Sequence, residues 1–198
     1  MISVRKAVTE LELNDVFNLR YLVFCEEKGR INVSGDYFKN MIIDQYDTYE
    51  SSINIVAYSK GNPVGVARIN IDSEAGLPPD SYFDLNSIRK ENSVCDGLLG
   101  SVSMLAIAPA WRNRGTLVSL FVETCRELKK LGVGTIVGSI SDDTYSIYRR
   151  MGFVRVGDPV WSRSVNDSVS LIKSAAEPVY GWVNRIDSSR EANRILTQ

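Results

Sequence analysis

The segment Leu98–Phe121 most constrains the fold, because it joins an apolar run to a helical pattern through a turn rich in arginine and glycine. The run Leu98–Ala108 is apolar on both faces toward its end, as expected for a central strand that is covered on both sides. After the turn at Pro109–Gly115, apolar residues recur at helical spacing from Thr116 onward. Backbone N–H groups at such a helix start converge on one point and stabilise an anion there. The segment therefore predicts a strand, a phosphate-binding loop and a helix in succession.

The chain of 198 residues is long enough for one domain with a full hydrophobic core. No internal repeat, low-complexity run or linker divides it, so we predict a single domain over residues 1–198. No stretch approaches the roughly 20 apolar residues of a membrane span, and the N-terminus lacks the apolar core of a signal peptide. We therefore expect a cytoplasmic protein without a membrane span.

The sequence contains no histidine, which removes the commonest general base and metal ligand. Ser-His-Asp and Cys-His catalysis and histidine-ligated zinc are thereby excluded. Cys25, Cys95 and Cys125 have no CxxC spacing, so the sequence indicates neither a disulfide framework nor a metal site. Any acid–base chemistry must use carboxylates, tyrosine, lysine, water or backbone groups.

The net charge of −1 conceals an uneven distribution. Residues 112–155 hold eight lysines or arginines against four acidic residues, so the remainder of the chain is acidic. One interpretation is a solvated helix face, and the other is a docking surface for an acidic partner or a phosphate.

Periodicity and turn residues predict the remaining elements. The predicted strands are Ile2–Ala7, Ile53–Ser59, Val64–Ile71, Thr135–Ile140, Val154–Val156, Val169–Ile172 and Val179–Val183. The predicted helices are Thr9–Lys28, Thr116–Leu131, a turn near Phe83–Arg89, a short helix capped by Asp142 or Asp143 that ends at Met151, and a terminal helix from Ser188. Gly29–Tyr49 and Asp72–Val94 are predicted mainly as loops.

Charged residues stand at unusual places in the first half of the chain. Arg20 lies one helical turn from Phe24 on a largely apolar face, where it either reaches solvent or requires a carboxylate or ligand as partner. Asp44 and Asp47 are either turn caps or partners for Arg20 or a substrate ammonium group. Arg68 lies inside a predicted strand and faces solvent or a cleft.

Two motifs, Arg112-x-x-Gly115 and Tyr148-x-x-x-Gly152-Phe153, follow the order of predicted elements over roughly residues 50–156. In this order they resemble the GCN5-related N-acetyltransferase superfamily. The resemblance implies an α/β (α+β) fold of the acyl-CoA N-acyltransferase type, with a mixed, mostly antiparallel sheet flanked by helices and splayed central strands. The pantetheine arm of an acyl thioester then bonds into the gap like an added strand.

The phosphate loop departs from that pattern at Leu117, where the superfamily has a third small residue. A bulkier loop favours a single phosphate over the pyrophosphate of coenzyme A, which is consistent with a donor on acyl carrier protein. The expected phosphopantetheine and carrier ligands are Arg112, Arg114, Gly115, Thr116, Lys129, Lys130, Arg149 and Arg150.

Three further motifs, Arg20-x-x-x-Phe24, Asp44-Gln-Tyr-Asp47 and Arg68, resemble the acyl-homoserine-lactone autoinducer synthases, which take acyl chains from acyl carrier protein. The chain has Arg30 where that family has a tryptophan. It also has Ser101 and Met104 where that family has a glutamate and an arginine on the central strand. These departures argue against S-adenosylmethionine as acceptor. The expected acyl-acceptor site comprises Arg20, Phe24, Asp44, Asp47, Arg68, Ser101 and Met104.

The whole chain most resembles the long-chain N-acyl amino acid synthases, including N-acyltyrosine synthases. This resemblance implies transfer of a long-chain fatty acyl group from acyl carrier protein to the α-amine of an amino acid, with tyrosine as the expected acceptor. It implies an acyl-phosphopantetheine donor, no permanently bound cofactor and no nucleic-acid partner. The alternatives are acyl-homoserine-lactone synthesis, coenzyme A-dependent N-acetyl transfer, and a non-catalytic module that binds acyl groups or the carrier.

Acyl transfer requires a neutral amine, a polarised carbonyl and a protonated leaving thiolate. Backbone N–H groups of Leu105, Ala106 and Ile107 are the expected oxyanion donors at the strand splay. Tyr148 occupies the position where the superfamily often has a tyrosine that protonates the thiolate, although it is otherwise explained as a packing residue. Because a free α-amine has a pKa of about 8, ordered water or a carboxylate suffices as base.

Overall fold

A computed structural model describes residues 2–30, 40–94, 97–162 and 167–196, and the side chains of 143 and 187–196 are not described. Within these ranges the chain forms a seven-stranded sheet in the order β1-β2-β3-β4-β5-β7-β6. The strands are β1 Ile2–Lys6, β2 Ser52–Ser59, β3 Asn62–Ile71, β4 Leu98–Ile107, β5 Val133–Ser141, β6 Val154–Ser162 and β7 Asp167–Ala175. β4 and β5 pair in parallel and the other neighbours are antiparallel, which confirms the predicted mixed sheet.

Helices cover both faces of this sheet. They are α1 Glu10–Tyr21, α2 Asn86–Asn92, α3 Thr116–Lys130, α4 Tyr145–Arg150 and α5 Ala176–Leu196. α3 and α5 pack in one apolar cluster against strands β2 to β5. α1 packs on the opposite face in a second cluster with residues of β2, β3 and β4. None of the described helices combines the length and apolar character that crossing a membrane requires.

The first helix is capped at its predicted first residue, Thr9. The Thr9 side chain accepts from the Glu12 backbone N–H, and the Glu12 carboxylate accepts from the Thr9 backbone N–H. The helix changes to π winding over Leu22–Glu27, and Gly29 then adopts a left-handed φ of +63°. The predicted helix Thr9–Lys28 is therefore confirmed, with a wider last turn.

The parallel pairing of β4 with β5 ends early and opens the sheet. Paired positions run from Leu98 opposite Val133 to Ser101 opposite Val137, and beyond them the two strands separate. On its other edge β4 carries a bulge, because the register with β3 shifts and Met104 adopts φ +51°. The bulge and the separation together confirm the predicted splay of the central strands.

One predicted strand is wrong, because Val179–Val183 lies inside α5. The buried residues Ala176, Val179, Tyr180 and Val183 recur three, one and three positions apart, which is the spacing of a helix face. Ser188 is likewise within α5 and does not start a helix.

Two smaller expectations also need correction. Asp142 does not cap the short helix, since its carboxylate accepts from Ser170 Oγ at 2.7 Å and from Arg155 at 2.9 Å. The side chain of Asp143, the alternative cap, lies outside the described residues, as does Cys95. The turn predicted near Phe83–Arg89 is present as α2, shifted toward the C-terminus.

Candidate active site

The separation of β4 from β5 creates two cavities, each of about 280 Å³. The polar cavity is lined by Phe24, Lys28, Arg30, Asp44, Tyr46, Arg68, Pro78, Ser81, Tyr82, Val102, Ser103, Met104, Leu105, Ser139, Ile140, Ser141, Thr144 and Tyr148. The loop cavity is lined by Val23, Lys28, Leu105, Ile107, Arg112, Asn113, Leu117, Phe121, Thr144, Ile147, Tyr148 and Met151. Because Lys28, Leu105, Thr144 and Tyr148 border both, the two cavities meet beside the β4 bulge.

A network of two arginines and two aspartates supports the polar cavity. Arg20 is fully buried and donates through Nη1 to both carboxylate oxygens of Asp47 at 3.0 and 2.8 Å. Arg68 donates to both oxygens of Asp44, at 3.0 Å for the Nη2 bond, and lies 2.9 Å from Asp47 Oδ2. The structure therefore unites four charges that the sequence placed in three separate segments, and Arg20 does not reach solvent.

Asp44 and Asp47 act both as caps of a turn and as partners of buried arginines. The Asp44 side chain accepts from the Tyr46 backbone N–H at 2.9 Å, and Asp47 accepts from the Asp44 N–H at 3.1 Å. These bonds form a capping box around the 3₁₀ turn Gln45–Thr48. The same carboxylates bind the arginines, so the turn and the ion network fix each other.

Burial and the neighbouring opposite charges shift the pKa values of Asp47 and Arg20 in opposite directions. Burial alone raises the pKa of Asp47, but the guanidinium groups of Arg20 and Arg68 and the Asp44 N–H outweigh it, so the pKa lies below its ordinary value. Burial lowers the pKa of Arg20, although the neighbouring carboxylates counteract that effect. We infer that Arg20 and Asp47 carry their charges in the folded protein, because each has an opposite charge in contact.

Predicted acceptor-site residues on β4 and on the π-helical turn divide into two groups. Phe24 and Met104 line the polar cavity, as does Arg68. Ser101 is fully buried in the sheet and is not among the residues that line either cavity. Ser103, which the sequence analysis did not select, lines the polar cavity and accepts from Arg68 Nε at 3.1 Å.

The backbone segment Leu105, Ala106 and Ile107 lies where β5 no longer pairs with β4. The Ala108 N–H donates to the Val64 carbonyl on β3 at 3.1 Å. Because successive residues of a strand direct their N–H groups to opposite edges, Ala106 also faces β3, whereas Leu105 and Ile107 face the gap. This geometry favours Leu105 and Ile107 over Ala106 as oxyanion donors.

Tyr148 lies at the junction of the two cavities. Its ring packs edge-on against Phe121 and Phe153, with centroid distances of 6.3 and 5.7 Å. Burial raises the pKa of Tyr148 to about 12, so the hydroxyl stays protonated at neutral pH. Tyr148 is thus a packing residue whose hydroxyl is protonated and whose side chain borders both cavities.

The Pro109–Gly115 loop, the predicted phosphate loop, has the backbone form of a strand-to-helix turn. The 3₁₀ turn Pro109–Trp111 leads to Gly115, which adopts a left-handed conformation at φ +77°, and α3 begins at Thr116. The Thr116 hydroxyl donates to the Trp111 carbonyl at 2.9 Å and fixes the loop. The start of α3 therefore presents its N–H groups toward the loop cavity, which Leu117 lines.

The two arginines of the loop, Arg112 and Arg114, differ in their contacts and exposure. Arg112 donates to both oxygens of Glu27 at 2.5 and 2.6 Å and to the Ile107 carbonyl at 3.1 Å. Arg114 is exposed and lies 5.8 Å from the Trp111 ring centroid. The predicted phosphate ligand Arg112 is therefore bound to a carboxylate in this structure.

The remaining predicted carrier residues lie outside both cavities. Lys129 and Lys130 end α3, and Arg149 and Arg150 end α4, all four with exposed side chains. Lys130 forms an ion pair with Glu127 at 2.5 Å. This arrangement fits a solvated helix end and equally fits a surface that contacts a partner.

Several site residues were not predicted from the sequence. Asn54 accepts from Arg20 Nη2 and contacts Asp47, and Glu27 binds Arg112. Asn54 interrupts the apolar strand Ile53–Tyr58, and such a buried polar residue is the signal that could have identified it. In the described parts of the chain, no group of three acidic or cysteine side chains is arranged to hold a metal ion.

Solved structures with the same fold include both amino acid and lactone enzymes. FeeM, an N-acyl amino acid synthase from uncultured soil microbes, superposes with a TM-score of 0.74 at 18% identity, over 89% of this chain and 92% of FeeM. The acyl-homoserine-lactone synthase LasI has a TM-score of 0.65 at 18% identity, over 91% of this chain and 94% of LasI. The CoA-dependent acyl-homoserine-lactone synthase BjaI has a TM-score of 0.67 at 16% identity, over 94% of this chain and 89% of BjaI. These similarities establish the N-acyltransferase fold.

Sequence comparison is more specific. A candidate acetyltransferase of Bacillus subtilis (strain 168) is 33% identical over 76 residues, which are 38% of this chain and 47% of that relative. The chain thus matches about half the length of that curated relative. The family model of the N-acyl amino acid synthase FeeM matches residues 15–174, which is most of the chain. The chain therefore belongs to the FeeM family of N-acyl amino acid synthases.

Proposed function

We propose that this acyltransferase moves a long-chain fatty acyl group from the phosphopantetheine of acyl carrier protein to the α-amine of an amino acid, with tyrosine as the expected acceptor. The observation that carries the proposal is the meeting of two cavities at Leu105 and Tyr148. One cavity opens beside the phosphate loop, and the other is lined by Arg68 and Asp44 of the arginine–aspartate network. A thioester and an amine that enter from opposite sides meet at this junction.

The reaction follows from the groups at the junction. The amine nitrogen attacks the thioester carbonyl carbon, and backbone N–H groups of Leu105 and Ile107 stabilise the oxyanion. The carbon–sulfur bond then breaks, and the Tyr148 hydroxyl gives its proton to the leaving thiolate. Ordered water takes the proton that the amine loses, and proton exchange with solvent restores Tyr148. The products are an amide and the free thiol of the donor.

The donor side supports a carrier-borne phosphate. Leu117 lines the loop cavity at the start of α3, where a single phosphate requires fewer N–H donors than a pyrophosphate. Lys129, Arg149 and Arg150 add exposed positive charge near the ends of two helices. An acidic carrier is attracted by such a surface, and its use would place the reaction in the cytoplasm.

A direct comparison of donors and acceptors tests the proposal. Purified protein is incubated with a long-chain acyl carrier thioester, the matching acyl-CoA or acetyl-CoA, and with tyrosine or S-adenosylmethionine as acceptor. We expect N-acyltyrosine from the carrier thioester, with a higher kcat/KM than from either CoA ester. Lactone formation, preferred use of acetyl-CoA, or thioesters left intact with every amine would contradict it.

A further inference from the structure

The polar cavity has more cationic than anionic lining groups. Its charged lining residues are Lys28, Arg30, Arg68 and Asp44. Arg68 and Asp44 neutralise each other through paired hydrogen bonds. The buried pair of Arg20 and Asp47 behind them is also neutral overall. Of the two remaining cations, Lys28 has interactions of its own, and Arg30 is the cation that the lining of the cavity does not neutralise.

The position of Arg30 is fixed by several contacts. Gly29 adopts a left-handed φ of +63°, and the Arg30 N–H donates to the Phe24 carbonyl at 2.9 Å. The Arg30 carbonyl accepts from Cys25 Sγ at 3.5 Å. The guanidinium carbon lies 5.6 Å from the centre of the Phe24 ring, which also lines the cavity. Arg30 is thus a half-buried cation held against an apolar wall.

The guanidinium of Arg30 has no carboxylate partner within the described residues, in contrast to Arg20, Arg68 and Arg112. A half-buried guanidinium is stabilised by an anion, and its planar fork matches a carboxylate with two parallel hydrogen bonds. An acyl chain and a thioester are neutral, and the donor phosphate belongs at the loop near α3. The acceptor amino acid is then the reactant that brings an anion to this cavity.

We propose that Arg30 binds the α-carboxylate of the acceptor amino acid and thereby restricts the acceptor to free amino acids, excluding plain amines and amino acid amides. This inference rests on the proposed function, because it requires an amino acid acceptor. The assignment explains why a positively charged side chain, that of Arg30, lines the polar cavity. Binding the carboxylate there also holds the adjacent amine at one distance from the cavity junction.

Acceptor competition tests this assignment. Wild type and Arg30→Gln receive a long-chain acyl carrier thioester with either the twenty protein amino acids or the same amino acids as α-amides, and products are quantified by mass spectrometry. We expect wild type to acylate the free amino acids far better than the amides. Arg30→Gln should lower kcat/KM for the free amino acid about 10- to 100-fold through KM, as for the loss of a hydrogen bond between charged groups. Its activity with amides should stay unchanged, and Arg30→Lys should recover part of the loss.

Arg5→Gln is the matched control, because Arg5 also places its guanidinium over an aromatic ring, that of Tyr58 at 4.6 Å, but lies outside both cavities. Thermal unfolding of each variant verifies that the fold persists. An equal loss with amino acids and amides, or no loss with either, would overturn the role of Arg30 while leaving the proposed function intact. No acylation of any amine by wild type would overturn both.

Discussion

The charged groups on the two sides of the site differ in burial. On the acceptor side, the side chains of Arg20, Asp47 and Arg68 are at most 1% exposed, and each binds more than one partner. On the donor side, Arg112 and Glu27 form an ion pair with side chains 37% and 32% exposed. Buried charges cannot exchange partners without a large desolvation penalty, whereas exposed ones exchange with water and ligands. Under the proposed function, the acceptor side is therefore a preorganised support, and the donor side can rearrange when the donor phosphate binds.

The largest expected effect comes from breaking the buried network. Asp47→Ala leaves Arg20 and Arg68 without their shared carboxylate, so we expect a loss of about 3–5 kcal/mol in the free energy of unfolding. Urea denaturation measures it. The pKa of Asp47 is lower in the folded than in the unfolded state, so its stabilisation is present above about pH 4 and is lost as pH falls through the folded pKa.

The control for this prediction is Glu27→Ala, which removes an exposed carboxylate from Arg112. We expect a change of at most about 1 kcal/mol in the free energy of unfolding. If the two variants lose similar stability, the distinction between a fixed acceptor side and an exchangeable donor side is wrong.

A second prediction concerns the junction between the two sides. Tyr148→Phe keeps the ring contacts with Phe121 and Phe153 but removes the proton donor. We expect kcat to fall about 100-fold with little change in KM or in stability. Steady-state kinetics with a carrier thioester measures both constants.

The pH dependence of wild-type kcat tests the protonation state of Tyr148, and the Tyr148→Phe variant separates proton donation from packing. Because the pKa of Tyr148 is about 12, its hydroxyl stays protonated up to about pH 10, and wild-type kcat should show no loss from Tyr148 ionisation below that pH. Unchanged kcat in Tyr148→Phe would show that the residue acts only in packing.

The third prediction sharpens the donor side. In this structure Glu27 occupies the guanidinium of Arg112, which we expect to bind the donor phosphate. Glu27→Gln weakens that competition, so KM for the carrier thioester should fall up to about tenfold, whereas Arg112→Gln should raise it similarly. The acceptor KM should stay constant in both variants. Opposite shifts in the donor KM are the decisive feature, and equal shifts would refute the competition.

The smallest expected effect is at the exposed helix ends. Lys129→Glu combined with Arg149→Glu should raise KM for the carrier thioester about two- to fivefold at low salt and reduce its salt sensitivity. Kinetics at two ionic strengths, within and beyond the screening range, measure the change. Arg5→Glu, at a distant surface, serves as the control. If the double variant and Arg5→Glu have the same salt dependence, Lys129 and Arg149 do not contact the carrier.

Much of the fold is readable from local patterns. α3 begins at the predicted Thr116, because the glycine turn, the helical periodicity and the basic last turn agree. The strand prediction at Val179–Val183 fails because a short apolar run is ambiguous, and the helical spacing extends back to Ala176.

The site was only partly predictable. The motifs around Arg20, Asp44 and Arg68 indicate an ion network, and the structure brings those residues together. Their neutral partners depend on strand register, since Asn54 and Ser103 lie opposite Arg68 on the two adjacent strands. That register includes a bulge in β4, and no local sequence pattern specifies it.

The most direct test of the account is mass spectrometry of lipid extracts from cells that express wild type or Tyr148→Phe. The proposed function predicts a new lipid in wild-type extracts whose mass equals a long-chain fatty acid plus an amino acid minus water. That lipid should be strongly reduced in the variant at equal protein level. An acyl lactone, an acetylated product, or the same lipid at equal amounts in both extracts would contradict the account.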